Sequence, residues 1–267
     1  MQTGRDAAAA IPRAFLLRLL AFFCSAILLC SALVLPACAE PLLYPSNAKH
    51  GVEDASRMVG AAAGRLAPVY APLAEQIARD LELTDKKGIG IDLGSGPGTL
   101  IIELCKRTRL HWINADINPH FFPQFIAAAE KAGVGGRVSA VFADAQALPF
   151  RDGYADVIVS RGSLQFWDDK RLAFSEICRV LKPGGVAYIG RGFSANLPPD
   201  VARTIRNVQN KNKKRSSPEY DVADLESELR AIMKHLKIEH YTIHIPKPPG
   251  SDGINYGIWV EIHKQES

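Results

Sequence analysis

The sequence predicts an α/β fold: a doubly wound, mostly parallel sheet with helices on both faces and an antiparallel hairpin at its end. Three observations carry that expectation. From Ile89 onward short apolar runs alternate with segments of helical period. A glycine-rich turn, GSGPG, follows the first of those runs. Near the end of the chain, two alternating apolar and polar segments are joined by PKPPGSDGINYG, which reads as a hairpin. Strands separated by helices of this length pair in parallel through right-handed crossovers, which covers the sheet on both faces.

The elements follow in order. Glu53 to Leu83 is alanine-rich and amphipathic with a break near Pro68, so it reads as one or two helices leading into the domain. Ile89–Leu93 is a short buried strand and Thr99–Thr108 a helix; His111–Asp116 is the second strand, and the Phe122–Ala132 region is a helix closed by Gly133. Val138–Asp144 and Asp156–Ser160 are the next strands, and Lys170–Leu181 is a helix stopped by Pro183-Gly184-Gly185. Val186–Gly190 is the fifth strand. Helices over Asp200–Gln209 and Val222–Leu236 precede the hairpin strands Ile238–Ile245 and Ile258–His263.

With 267 residues the chain is long enough for one large α/β domain and appendages. The expected organisation is a signal peptide or membrane anchor over 1–39, a linker over 40–52 discouraged from helix by Pro41 and Pro45, and one domain over 53–267 with its core at 85–193. The formal net charge is +4, and without the first 39 residues, which hold Arg5, Arg13, Arg18 and Asp6, 29 basic and 27 acidic residues remain. That balance gives no reason to expect nucleic acid as a partner.

Leu19 to Leu35 is a run of 17 apolar or small residues without a charge, preceded by Arg18 and followed by PACAE. A basic start, an apolar run and Ala37-Cys38-Ala39 fit a cleaved secretory signal. An uncleaved anchor and lipid attachment at Cys38 compete with it. In each membrane reading the arginines stay on the cytoplasmic side and the folded domain lies outside. Of the five cysteines, Cys24, Cys30 and Cys38 fall in that segment, while Cys105 and Cys178 fall in predicted helices and make no disulfide framework.

The chemistry concentrates at the strand ends. Gly94, Gly96 and Gly98 follow a strand carrying Asp92, and glycines let a backbone approach a ligand without Cβ interference. A dinucleotide fingerprint would need Gly or Ala at Thr99, and no Gly-Lys-Ser/Thr follows to make a phosphate loop. Asp92, Asp116 and Asp144 lie at three successive strand ends, where ligands of open α/β sheets bind. Three acids there repel phosphate and suit a ligand with a cationic part and hydroxyl groups.

IDLGSGPG, the acid of NADINPH, ADAQALPF, DVIVSRGSLQFWDD and RVLKPGG together resemble class I S-adenosylmethionine-dependent methyltransferases of the small-molecule type. The resemblance covers residues 85 to 193 and implies a Rossmann-like fold with S-adenosylmethionine as cofactor. It implies that Asp92 and the backbone of Gly94 and Gly96 face the methionine part, with Asp92 near its ammonium and Gly98 also among the cofactor-binding residues, that Asp116 accepts the ribose hydroxyls, and that Ile117 packs on the adenine. Asp144 would accept from the adenine amine with the Ala145 amide nearby, and Ser160 and Arg161 would lie beside the departing methyl group.

The implied reaction is an in-line displacement on a sulfonium carbon, for which the protein supplies proximity and orientation. Asp168 and Asp169 are candidate bases and Arg161 an anion clamp. The acceptor is a small or lipid-like molecule rather than a DNA adenine, because Ser160-Arg161-Gly162-Ser163 replaces the Asn/Asp-Pro-Pro-Tyr signature. A second class also fits: an exported or tethered module that binds the cofactor without transfer, since the cofactor is made in the cytosol while the leader exports the domain.

Other features have ordinary explanations. LKPGG reads as turn chemistry between helix and strand. Leu164, Phe166 and Trp167 either cover the sheet edge or line a substrate site. His240 and His244 share a strand face without further ligands of metal spacing. The stretch Arg203, Arg206, Lys211, Lys213, Lys214 and Arg215 reads as a solvated helix end and loop, with anionic lipid head groups, RNA or an acidic substrate as the alternatives.

Overall fold

The computed structural model describes residues 51–211 and 221–266. The expected leader over 1–39, nearly all of the linker, three of the cysteines, and Lys213, Lys214 and Arg215 lie outside the described residues. Among the described residues no helix is long and apolar enough to cross a membrane.

Two helices lead in, α1 (Val52–Ala63) and α2 (Ala67–Asp80), with the break where Pro68 opens the second. Then come β1 (Ile89–Leu93), α3 (Thr99–Cys105), β2 (His111–Asp116), α4 (Phe122–Lys131), β3 (Val138–Phe142), β4 (Ala155–Arg161), α5 (Lys170–Val180) and β5 (Leu181–Gly192). The remainder is α6 (Pro199–Lys211), α7 (Val222–His235), β6 (Tyr241–His244) and β7 (Gly257–His263). The seven strands form one sheet in the order β3-β2-β1-β4-β5-β7-β6. Pairing is parallel from β3 through β5, whereas β7 is antiparallel to both β5 and β6, so β7 alone is reversed. The chain order turns back at β1, which places β1 and β4 side by side at the switch point where such sheets bind ligands.

Alternation along the strands divides the core. On one face Val157, Val159 and Trp112 pack with Leu73 and Ile77 of α2, Leu100 and Leu104 of α3, Phe125 of α4 and Ile205 of α6. On the other, Ile91, Leu93 and Ile158 pack with Phe174 and Ile177 of α5 and Leu229 and Met233 of α7. The apolar period of each helix thus selects its sheet face.

The structure departs from the sequence reading at element ends. α3 stops at Cys105 instead of Thr108, where Arg137 takes carbonyls at the helix end: its Nη1 donates to Thr108 O at 2.7 Å and its Nη2 to Cys105 O. β3 stops at Phe142, and Asp144 lies just beyond it, holding the Gln146 amide on Oδ1 at 2.9 Å. LKPGG does not separate helix from strand. Leu181 already pairs with Ala155, Val186 pairs with Val157, and Lys182 to Gly185 bulge out opposite Asp156, which Lys182 Nζ holds at 2.7 Å. β6 is also shorter than expected, starting at Tyr241.

Candidate active site

The loop after β1 makes three left-handed steps, with φ of +64° at Gly94, +56° at Gly96 and +70° at Gly98. Only glycine reaches such angles without strain. Two of the three also have no room for a side chain: a Cβ on Gly94 would lie 2.0 Å from Ser163 Oγ, and one on Gly98 2.0 Å from Phe125 Cδ2. The loop is therefore clamped between the segment after β4 and helix α4.

Asp116 closes the loop from β2. Its Oδ2 accepts the Gly96 amide at 2.7 Å and its Oδ1 accepts the Asn118 amide at 2.7 Å. Beside it, Asn114 donates through Nδ2 to Gly96 O at 3.0 Å. Asp92 differs. It is only 2% exposed, Ser95 Oγ donates to its Oδ2 at 2.7 Å, and its Oδ1 has no hydrogen-bond partner among the described residues. Burial pushes its pKa up to about 7; Ser95 opposes the rise, Asp116 adds to it, and Arg161 opposes it. Asn114 Oδ1 is likewise buried without a partner. Orphaned acceptors in so small a space are costly in a folded chain, and they favour a guest that brings donors and positive charge.

The rim comes from three further places. Ser160, fully buried at the end of β4, donates from Oγ to Leu93 O at 2.7 Å and so ties β4 to β1. Arg161 lies over the ring of Tyr70 on α2, 5.3 Å from the centroid. Above the loop, Asn118 Nδ2 donates to Gly51 O at 3.2 Å, and Met58 of α1 lies 3.9 Å from where a Gly96 Cβ would be. Ile117 is 39% exposed, an apolar side chain held in the open beside Asp116.

The structure thus brings Asp92, Gly94, Gly96, Gly98, Asp116, Ser160 and Arg161 around one loop. Asp144 and Ala145 follow β3, the next strand outward. Asp168 is exposed, and Asp169 is the N-cap of α5, accepting the Leu172 amide at 3.1 Å. His244 faces Glu261 at 2.9 Å, and no group of three metal-binding side chains occurs among the described residues. Sequence reasoning missed Tyr70, Met58, Ser95, Asn114 and Ser163. Ser95 had a signal, because a serine three residues after a strand-end acid can fold back onto it. Tyr70 had none, since its helical spacing is that of any buried face.

Residues 91–189 match the methyltransferase domain family. A solved structure from Methanococcus maripaludis, assigned to the S-adenosyl-L-methionine-dependent methyltransferases, is 30% identical, with a TM-score of 0.68 over 81% of this chain and 94% of that one. The chain belongs to the S-adenosyl-L-methionine-dependent methyltransferase family. The ubiquinone/menaquinone biosynthesis C-methyltransferase UbiE of Francisella tularensis subsp. novicida is 35% identical over 97 residues, a match that spans 36% of this chain and only 39% of that relative. Geranyl diphosphate C-methyltransferase from Streptomyces coelicolor, at 15% identity and a TM-score of 0.52, over 73% of this chain and 78% of that one, shares the fold.

Proposed function

We propose that the chain binds S-adenosyl-L-methionine in the loop after β1 and transfers its methyl group to a small-molecule or lipid-like acceptor. The observation that carries the reading is Asp92: a buried carboxylate with an orphaned oxygen, at the mouth of a loop in which Gly94 and Gly98 leave no room for side chains. Such a group calls for a cation, and the ammonium of the cofactor's methionine part supplies one.

In this reading Asp92 holds the ammonium, and the backbone of Gly94, Gly96 and Gly98 lets the ligand approach closely. Asp116 fixes the loop through its two amide contacts and accepts from the ribose. Ile117 covers the adenine; Asp144 and the Ala145 amide read its edge. Ser160 and Arg161 border the place where the acceptor meets the methyl group. When bound, the cofactor supplies an already activated methyl on sulfur, so the residues' task is to orient two reactants and exclude water. Asp169 serves as a helix cap, so Asp168 is the base candidate of that pair. The relative named for ubiquinone and menaquinone biosynthesis supports a lipid-like acceptor.

Calorimetric titration of S-adenosyl-L-methionine and S-adenosyl-L-homocysteine tests the reading. Binding to the unaltered protein, weakened at least tenfold in Asp92→Asn and in Asp116→Ala, is expected. Wild-type affinity in Asp116→Ala would remove the ribose assignment, and no binding to the unaltered protein would remove the cofactor. Label transfer from radioactive cofactor to a cell extract then separates an enzyme from a module that only binds.

A further inference from the structure

Asn114 is fully buried on β2, and one contact fixes which way its amide points. Its Nδ2 donates to Gly96 O at 3.0 Å, an atom that can only accept, so Oδ1 is turned the other way and has no hydrogen-bond partner among the described residues. The strand register shows what stands beside it. β1 is level with β2 at Asp92 and Asn114, β4 sets Val159 beside Asp92, and β3 sets Ala140 beside Asn114. Ile91 and Leu93 go to the opposite core, so Asp92 leaves β1 on the same face as Asn114, Trp112 and Val159. Across that face the row reads Val159, Asp92, Asn114, Ala140, with strands about 4.8 Å apart. Asp92 and Asn114 are each other's only polar neighbour in the row, and each carries one oxygen without a partner. Nearby donors are committed elsewhere: Trp112 Nε1 to Thr108 Oγ1 at 3.0 Å, and Ser95 Oγ to Asp92 Oδ2 at 2.7 Å.

Two buried acceptors side by side are costly, and a single proton shared between them satisfies both. An amide oxygen turned toward a carboxyl group can accept only from its acid form. We infer that the ligand-free protein holds Asp92 as the carboxylic acid, its O–H donating to Asn114 Oδ1, and that Asn114 is a positioning residue through which cofactor binding releases one proton. On arrival of an ammonium the Asp92 O–H bond breaks, the proton passes to the buffer, and the carboxylate receives the cation. Other groups facing Asp92 divide in sign. Burial and Asp116 of β2 favour the acid, while Ser95 of the loop and Arg161 of β4 favour the carboxylate. Tyr70 of α2 is close enough to feel its charge, and burial keeps that phenol neutral. The coupling to cofactor rests on the methyltransferase reading, whereas the shared proton stands on register and hydrogen bonding alone.

Carboxyl-labelled aspartate, followed by carbon NMR in the ligand-free protein from about pH 4 to 9, reads the Asp92 proton directly, and Asp92→Asn assigns the signal. A carboxyl titrating near neutrality is expected. Its midpoint should fall by about one pH unit in Asn114→Ala and in Asn114→Ser, which remove the acceptor that favours the acid. Titration of S-adenosyl-L-homocysteine in two buffers of different ionisation enthalpy, near pH 6, should release about one proton per ligand bound to the unaltered protein and about half that in either Asn114 variant. A merely structural Asn114 moves affinity without moving the midpoint or the proton count. Near-ultraviolet circular dichroism confirms that each variant is folded. An Asp92 carboxyl that titrates in the ordinary carboxylate range overturns the inference, as does a midpoint unchanged in both folded Asn114 variants. Failure of S-adenosyl-L-homocysteine to bind, with the Asn114-dependent midpoint intact, sinks the cofactor reading and leaves the shared proton standing.

Discussion

Asp92 sets the behaviour of the site at the scale of single residues. With its pKa raised by burial to about 7, it is protonated in the free protein on the acid side of neutrality. Binding of an ammonium requires the carboxylate, so cofactor affinity should rise about tenfold per pH unit up to about 7. It should fall again above about 8, where an α-amino group loses its proton. Isothermal titration across pH 5.5 to 9 checks this, and Asp92→Asn should erase the acid limb. The same shift has a stability consequence of opposite sense. Because the folded protein holds the proton up to about pH 7 while the unfolded chain releases it near 4, the ligand-free protein should lose on the order of 4 kcal/mol from this group as pH rises between those values. Urea denaturation of the protein and of Asp92→Asn should diverge over that window. The strand-end acid itself was legible in the sequence. Its orphaned oxygen was not, because burial and partners are properties of the assembled site.

At the scale of elements, the glycine loop and the segment after β3 are held by different devices. Gly98 admits Phe125 of α4, so Gly98→Ala combines a clash with a left-handed backbone and should cost about 2–4 kcal/mol. Gly96 has its nearest neighbour 3.8 Å from a built Cβ, and Gly96→Ala should cost only about 1 kcal/mol. Guanidinium denaturation of the two variants distinguishes packing from backbone strain. Arg179 on α5 ties down the crossing from β3 to β4 by donating to Leu148 O at 3.1 Å and Phe150 O at 2.8 Å. Arg179→Met should cost about 2 kcal/mol and speed amide exchange across residues 145–153, whereas Asp152→Ala should be nearly neutral, its side chain being 82% exposed. Element type and order were readable from hydrophobic period. Element ends were not, since Arg137 ends α3 and a bulge opposite Asp156 starts β5, and both depend on partners distant in the chain.

At the scale of the whole molecule, α2 is fastened to the sheet by a buried polar chain as well as by its apolar face. Gln76 Nε2 donates to Tyr188 on β5 at 3.1 Å, and Gln76 Oε1 accepts from Ser194 Oγ at 2.7 Å and the Ala195 amide at 2.8 Å. Tyr188→Phe leaves the Gln76 amide without its acceptor and should cost about 1–2 kcal/mol. Cofactor affinity, measured in the same samples, should stay unchanged, since the chain anchors the helix that carries Tyr70 without touching the loop. By itself the sequence determined the α/β class, the alternation of strands and helices, the loop that only glycine can form, and the acids at successive strand ends. Each of these depends on interactions a few residues apart. The tertiary structure decided the reversal of β7 alone, the burial of Asp92 with one oxygen unspent, and the meeting of Tyr70 with Arg161. Those depend on how helices from one end of the chain settle on strands from its middle, and no local period records that packing.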